Sequence, residues 1–128
     1  KVIFVALPLT KETKGIINRE RIEAMSGKFL INVGRGTLID EEALYYGLKN
    51  HILAGAGIDT WYLYPREYDV QLPSKYPIHT FPNVVISPHV GGFTVEGLVG
   101  RIDETIENIR HALVTGRPKT VVDLENEY

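Results

Sequence analysis

Two side chains that can bind an acid and move a proton lie in glycine-containing segments of the chain. Arg35 stands between Gly34 and Gly36, directly after an apolar run. A guanidinium presents a planar fork of donors that suits a carboxylate, and the two glycines let the backbone approach a flat ligand because they carry no Cβ. His89 follows another apolar run, and an imidazole exchanges a proton near neutral pH. If both runs are strands of one sheet, the two residues converge on one cleft; otherwise Arg35 is a surface arginine in a turn and His89 a loop histidine.

Two further segments also follow apolar runs. The Asp59 carboxylate either accepts a hydrogen bond from a ligand or caps neighbouring N–H groups in a turn. The segment Leu7–Thr10 either forms an apolar lip with a hydroxyl beside it or simply ends its strand. His51, His79 and His111 have no comparable surroundings, and we interpret them as structural.

The composition excludes several classes of function. The chain has 128 residues, a formal net charge of −2 and no cysteine. There is room for one domain, no basic excess for binding nucleic acid, and no apolar run long enough to cross a bilayer. Without cysteine there are no disulfides or thiolate metal sites, which fits a cytoplasmic protein. The sequence also has no Gly-x-Gly-x-x-Gly motif, no Walker-type phosphate loop, no Gly-x-Ser-x-Gly motif and no histidines paired at metal-ligand spacing.

Alternating apolar and amphipathic segments predict an α/β fold. The predicted strands are 2–7, 29–33, 53–58 and 84–86. None alternates cleanly between apolar and polar residues, which indicates strands buried on both faces, as in parallel sheets. One helix is predicted from an Asn18 cap to Gly27 and another from an Asp40 cap, its inward residues being Ala43, Leu44 and Leu48. Strands that alternate with helices indicate right-handed βαβ crossovers.

The clearest helix lies near the end of the chain, with Thr94 as N-cap, Gly116 as its C-terminal residue and Pro118 preventing continuation. Its apolar residues recur at helical spacing: Leu98, Ile102, Ile106, Ile109 and Leu113. Residues 60–82 are predicted as a long loop, and the tail 120–124 could add a strand. Three helices are too few to cover both faces of the predicted sheet. We therefore expect a Rossmann-like parallel sheet that is incomplete, followed by a long C-terminal helix.

The sequence resembles the D-isomer-specific 2-hydroxyacid dehydrogenases. Five segments carry the resemblance, in order and through almost the whole chain: Leu7–Gly15, Asn32–Gly36, Asp40–Leu44, Ala54–Asp59 and Asn83–Gly92. The resemblance implies that residues 1–92 are the second half of a dinucleotide-binding domain, that 93–116 form a helix leading back toward a substrate domain, and that 117–128 form a tail.

The resemblance also implies a role for each site residue. Arg35 would hold the substrate carboxylate, His89 would protonate the carbonyl oxygen of a 2-oxo acid during reduction, and Asp59 would contact the nicotinamide carboxamide. The cleft for NAD or NADP would be lined by Leu7, Pro8, Thr13, Val33, Gly34, Arg35, Asp59, His89, Gly91 and Gly92. No metal is implied. The expected partners are a small 2-hydroxy or 2-oxo acid and a second copy of the chain, as a homodimer.

One departure from the family pattern concerns the catalytic set. Members usually carry a glutamate five residues after the aspartate that matches Asp59, and this carboxylate pairs with the histidine. Here that position is Tyr64, and Glu67 lies three residues further on. A phenol can bind an imidazole but adds no negative charge near neutral pH. We therefore expect 2-oxo acid reduction to lose rate earlier, as the pH rises, than in relatives with the glutamate, unless a loop shift brings in Glu67.

The second departure is length. The glycine-rich dinucleotide loop and most of the family's substrate domain have no counterpart in these 128 residues. We therefore expect an oxidoreductase that transfers a hydride between NAD(P) and a small D-2-hydroxy acid, represented here by a fragment that is inactive alone and has negligible NAD affinity. The alternative is a dinucleotide-sensing or scaffolding protein on the same fold, without turnover.

Overall fold

The computed structural model describes residues 1–66 and 70–125. The chain divides into two compact units, residues 1–90 and residues 91–128.

A four-stranded parallel sheet organises the first unit, as predicted. Its strands are β1 (Val2–Val5), β2 (Phe29–Asn32), β3 (Gly55–Ile58) and β4 (Val84–Ile86), in the spatial order β1-β2-β3-β4. All three pairings are parallel. Spatial order follows chain order, so each connection joins neighbouring strands and β1 lies at an edge.

Three predicted strands are shorter in the structure: β2 ends one residue early, at Asn32, and β1 and β3 are each shortened for a hydrogen-bonding reason. β1 ends at Val5 because its carbonyl accepts from both Val33 and Gly34 N–H, at 3.0 and 3.1 Å, which closes the ladder. β3 begins only at Gly55 because Leu53 N–H donates to the Gly47 carbonyl at the end of the preceding helix, at 3.1 Å.

The two short helices begin at the predicted caps, and the first is followed by the predicted Gly27. In α1 (Arg19–Ala24) the Asn18 side chain accepts from Arg21 N–H, and Gly27 follows in the left-handed region at φ 69°. In α2 (Glu41–Lys49) the Asp40 carboxylate accepts from Ala43 N–H at 2.8 Å. Such side-chain acceptors satisfy N–H groups that a helix start leaves without partners. Short 3-10 turns lie at Gly36–Leu38 and Ile78–Thr80.

The hydrophobic core lies on one face of the sheet. Buried side chains from the strands and helices form it, among them Ile22, Leu30, Leu44, Leu48, Leu53 and Ile58. On the other face, in the described part of the chain, Phe4 and Val85 are 70% and 76% exposed. Because successive strand residues point to opposite faces, the expected burial on both faces is found here on one face only.

The second unit consists of one long helix and a tail. The helix α3 (Val95–Thr115) has Thr94 as N-cap and ends at Gly116, which is left-handed at φ 77°. Its predicted apolar stripe is formed but exposed, from 40% at Ile106 to 82% at Leu113. The prediction of a strand in the tail was wrong for its described residues, because Thr120 N–H and Oγ1 instead donate to the Asn108 side-chain oxygen, at 2.9 and 3.0 Å. No helix among the described residues is long and apolar enough to cross a membrane.

Candidate functional site

Four of the predicted site segments lie at one edge of the sheet. Leu7 follows β1, Arg35 follows β2, Asp59 follows β3 and His89 follows β4. Since all four strands are parallel, these residues share the carboxyl edge, where open α/β sheets bind ligands.

The loop that carries Arg35 is held by the side chain of Asn32, which is buried. The Asn32 amide oxygen accepts from Gly34 N–H at 3.1 Å, and its amide nitrogen donates to the Arg35 carbonyl at 2.9 Å. The Arg35 side chain is exposed, and among the described residues its guanidinium has one partner, the Gly34 carbonyl at 2.8 Å. The loop is therefore fixed while most guanidinium donors stay available for an anion.

The glycines beside Arg35 are required by packing within the protein. A Cβ on Gly34 would lie 2.8 Å from the Leu7 carbonyl oxygen, and a Cβ on Gly36 would lie 2.3 Å from the Trp61 carbonyl oxygen. The sequence-based interpretation gave these glycines another purpose, close approach of a flat ligand. The structure shows that they bring the Arg35 loop into backbone contact with the segments that follow β1 and β3, and close approach of a ligand stays a prediction.

His89 is held by Tyr64, the residue at the position where the family resemblance implies a glutamate. The Tyr64 hydroxyl lies 3.0 Å from His89 Nδ1, and it accepts from Trp61 N–H at 2.9 Å. The two rings are tilted, with centroids 5.6 Å apart. Among the described residues His89 Nε2 has no hydrogen-bond partner, and the backbone is left-handed at φ 61°, which is uncommon for a residue with a side chain. Glu67, the alternative partner, lies outside the described residues.

Asp59 accepts hydrogen bonds from the residues on either side of the Pro88–His89 pair. Its Oδ1 accepts from Ser87 Oγ at 2.5 Å and from Val90 N–H at 3.0 Å. The Asp59 carboxylate thus caps N–H and O–H groups, which was one of the two roles expected from the sequence. The groups it caps follow the neighbouring strand β4 and do not lie in a local turn. The contact of Asp59 with a nicotinamide carboxamide stays a prediction.

A hydroxyl-rich turn follows β1. Thr13 Oγ1 donates to the Pro8 carbonyl at 2.7 Å and accepts from Thr10 N–H at 2.8 Å. This turn leaves Leu7 44% exposed, beside Val33 at the end of β2, which is 46% exposed. Two exposed apolar side chains thus follow neighbouring strands, and the apolar lip of Leu7–Thr10 stays a prediction.

Sequence reasoning missed the residue that joins these segments. Trp61 is buried, its backbone packs against Gly36, its N–H binds Tyr64, and its indole N–H donates to the Ser87 carbonyl at 3.0 Å. The Arg35 segment and the His89 segment therefore meet on one residue, the first at the Trp61 backbone and the second at its indole. The available signal was that Trp61 is the chain's single tryptophan and comes two residues after Asp59.

The phenol of Tyr62, next in the chain, is buried without a polar contact. Its hydroxyl has no hydrogen-bond partner among the described residues. Burial raises the pKa of Tyr62 well above its ordinary value of 10.0, and the nearby carboxylates of Glu41 and Asp40 raise this pKa further. The group is neutral at all physiological pH values and contributes no charge to the site.

The remaining predicted residues and histidines lie apart from this cluster or in the second unit. Gly91 and Gly92 belong to the unit 91–128, where the Gly92 carbonyl accepts from Arg101 Nη2 at 3.3 Å. His111 Nδ1 lies 2.7 Å from the Arg117 carbonyl in that unit. His79 Nδ1 is buried without a partner among the described residues, and the same residues contain no group of three or more side chains placed to hold a metal ion.

Comparison with known proteins agrees with this arrangement. Residues 1–91 match the family model described as D-isomer specific 2-hydroxyacid dehydrogenase, NAD binding domain. The chain belongs to this family. The carboxyl edge of the sheet is therefore part of a dehydrogenase NAD-binding domain.

Individual family members match over nearly the whole chain. It is 34% identical to the glyoxylate reductase of Thermofilum pendens over 125 residues, which are 97% of this chain and 35% of that protein. It is 39% identical to glyoxylate/hydroxypyruvate reductase B of Serratia proteamaculans over 118 residues, 91% of this chain and 34% of that protein. The D-isomer specific 2-hydroxyacid dehydrogenase of Xanthobacter autotrophicus, solved with NADPH and MES, superposes with a TM-score of 0.82 at 32% identity, covering 99% of this chain and 50% of that one. The chain thus spans about a third of the length of these curated relatives.

The residues of the first unit fit the nicotinamide end of such a dehydrogenase cofactor. Leu7 and Val33 offer an exposed apolar surface for a flat ring, and the carboxylate of Asp59 lies at the end of the next strand. A pyrophosphate is usually bound by a glycine-rich loop at a helix N-terminus, and no such motif occurs in these 128 residues.

Proposed function

We propose that the protein is an NAD(P)-dependent dehydrogenase that interconverts a small 2-oxo acid and the corresponding D-2-hydroxy acid. The family supports this assignment, and so does one observation on this chain. Trp61 ties the segment that carries an exposed guanidinium to the segment that carries a hydrogen-bonded imidazole. A 2-oxo acid needs both groups, one for its carboxylate and one for its carbonyl oxygen.

Each of the two side chains has one task in this proposal. Arg35 binds the substrate carboxylate through two parallel N–H donors and thereby orients the neighbouring carbonyl. The cofactor, when bound, supplies or accepts the hydride. His89 moves the proton: it donates from Nε2 to the carbonyl oxygen during reduction and takes the proton back from the hydroxyl during oxidation. Tyr64 lies on Nδ1, so Nε2 is the ring nitrogen left for the substrate.

The residues that follow β1, β2 and β3 take the cofactor side of the cleft. Leu7, Pro8, Thr13, Val33 and Gly34 lie beside the ring and Asp59 beside its carboxamide, with Gly91 and Gly92 as further contacts. These positions are carried over from the family pattern, and the exposure of Leu7 and Val33 supports them.

The test is turnover by the protein in its full-length form. NADH or NADPH consumption is followed with glyoxylate and with hydroxypyruvate, the substrates that the names of the relatives suggest. Arg35→Lys loses the bidentate contact, and kcat/KM should fall by about 10- to 100-fold, chiefly through KM. His89→Gln removes the proton donor, and kcat should fall by about 10²- to 10⁴-fold.

Lys49→Gln serves as the control for lost charge, because this residue ends α2, away from the carboxyl edge, and it should leave both kinetic constants unchanged. Cofactor binding without turnover of any 2-oxo acid would favour the alternative, a dinucleotide-sensing or scaffolding protein. Equal activity of His89→Gln and the wild type would contradict the proposed proton transfer.

We further propose that the protein is cytoplasmic, which its lack of cysteine favours, and a homodimer, as the family resemblance implies. Light scattering coupled to size-exclusion chromatography measures the mass in solution, and a monomeric mass would contradict the dimer.

A further inference from the structure

The contact between Tyr64 and His89 is part of a three-member arrangement. Trp61 N–H donates to the Tyr64 oxygen at 2.9 Å, and the same oxygen lies 3.0 Å from His89 Nδ1. The Trp61 amide is fixed in place, because its residue is buried and its indole is bound to the Ser87 carbonyl. A backbone amide can only donate, so its direction in this arrangement is certain.

The phenol must therefore use its oxygen as an acceptor toward Trp61. A phenol has one proton to donate, and its remaining lone pair is weakened by conjugation with the ring. Among the residues that the structure describes, the proton of Tyr64 then has one good acceptor within reach, the lone pair on His89 Nδ1. A neutral imidazole that accepts at Nδ1 carries its own proton on Nε2.

We propose that Tyr64 is a positioning residue that sets the tautomer of neutral His89, by donating its phenolic proton to Nδ1 while Trp61 N–H occupies its acceptor side. The inference rests on the proposed function, because it concerns the histidine of the proposed dehydrogenase. The tautomer can nevertheless be measured without any turnover. A carboxylate at position 64 does the opposite, because it can only accept and therefore favours the proton on Nδ1. Tyr64 thus reverses the hydrogen bond expected at this position of the family.

The reversal has a consequence for substrate binding. Neutral His89 with its proton on Nε2 offers a hydrogen-bond donor to the carbonyl oxygen of a 2-oxo acid. A neutral imidazole with the proton on Nδ1 presents a lone pair to the same oxygen and repels it. Tyr64 therefore keeps the site able to bind a 2-oxo acid even when the imidazole is uncharged, whereas oxidation of the hydroxy acid requires the minor tautomer, in which Nε2 is free to accept the proton.

The tautomer is measured directly by ¹⁵N NMR of histidine-labelled protein, in long-range ¹H–¹⁵N spectra at about pH 9, where an imidazole is neutral. The signals of His89 are assigned by their loss in His89→Gln. In the wild type we expect the pyridine-type signal at Nδ1 and the pyrrole-type signal at Nε2. Tyr64→Glu should exchange the two signals between the nitrogens. Tyr64→Phe should lower the tautomer preference by roughly fivefold, the worth of one neutral hydrogen bond.

Tyr62→Phe is the matched control, because it removes a hydroxyl two residues away that has no partner among the described residues. It should leave the His89 signals unchanged. A pyrrole-type Nδ1 in the wild type overturns the inference, and so does a Tyr64→Glu spectrum equal to that of the wild type. Either result leaves the proposed dehydrogenase activity standing, whereas an inactive full-length protein with the expected spectra would overturn the activity alone.

Discussion

Gly36→Ala tests whether the Arg35 and His89 segments are joined through Trp61. The added Cβ would lie 2.3 Å from the Trp61 carbonyl oxygen and 2.4 Å from its carbon. These are backbone atoms, so no side-chain rotation relieves the overlap. Ordinary contact at 3.4 Å requires the two segments to separate by roughly 1 Å.

The energetic cost follows from what this separation breaks. Trp61 donates to Tyr64 from its backbone at 2.9 Å and to Ser87 from its indole at 3.0 Å. A shift of this size takes both bonds out of hydrogen-bonding range, and each is worth about 1 kcal/mol. With the strain of overpacking added, the free energy of unfolding should fall by about 2–4 kcal/mol, a decrease in Tm of about 10 °C.

Urea denaturation followed by fluorescence measures the effect, since Trp61 is the single tryptophan of the chain and is buried. The emission maximum of native Gly36→Ala should also move to longer wavelength, because the indole becomes more exposed to water. Gly100→Ala is the control: a Cβ there meets nothing within 4 Å, and alanine favours a helix, so stability should be unchanged or slightly higher. A Gly36→Ala protein within 0.5 kcal/mol of the wild type, with unchanged emission, would refute the proposed link.

Two further predictions concern stability at high pH and cofactor binding. Burial raises the pKa of the Tyr62 phenol above its unfolded value of 10.0, so its stabilising contribution is complete below pH 10.0 and is lost as the pH rises toward the folded pKa. Independently of this titration, Tyr62→Phe should be more stable than the wild type at neutral pH, by about 1 kcal/mol, because it removes a buried hydroxyl that has no partner among the described residues. Above pH 10, where ionisation of the unfolded phenol destabilises the wild type alone, the gap should widen by up to about 1.4 kcal/mol per pH unit. Unfolding curves at several pH values check this, and parallel curves for the two proteins would show that Tyr62 is accessible to solvent. The 128-residue chain alone should bind NADH negligibly, since it contains no glycine-rich pyrophosphate loop; a micromolar Kd in calorimetry would contradict this.

The sequence determined the elements and most of their limits. Asn18 and Asp40 are helix caps because their short side chains reach the N–H groups of the first turn, and this interaction is local. Gly27 and Gly116 end helices because they adopt positive φ readily, which is also a property of the residue itself. The strands, the parallel sheet and the placement of Arg35, Asp59 and His89 at strand ends follow from the same local patterns.

Local patterns were less informative where long-range contacts compete with them. β3 lost its first two predicted residues to a hydrogen bond from Leu53 to the end of α2, and the tail formed contacts with Asn108 instead of a strand. The apolar run of β1 predicted burial on two faces, yet the side chain of Phe4 is exposed in the described chain. The apolar side chains of a strand show that its face can be buried, but they do not show whether another element packs against that face.

Only the tertiary structure decided how the site is assembled. The sequence identified Arg35 and His89 as acid-binding and proton-moving candidates, and it marked Tyr64 as a departure from the family. It could not show that Gly36 and Trp61 touch, because residues 25 positions apart meet only through the pairing of β2 with β3. Nor could it show that Tyr64 lies on Nδ1 of His89, since that contact requires the ends of β3 and β4 to be neighbours in one sheet. The sequence specifies the residue types, but the direction of a hydrogen bond depends on which atoms the fold brings within about 3 Å of each other.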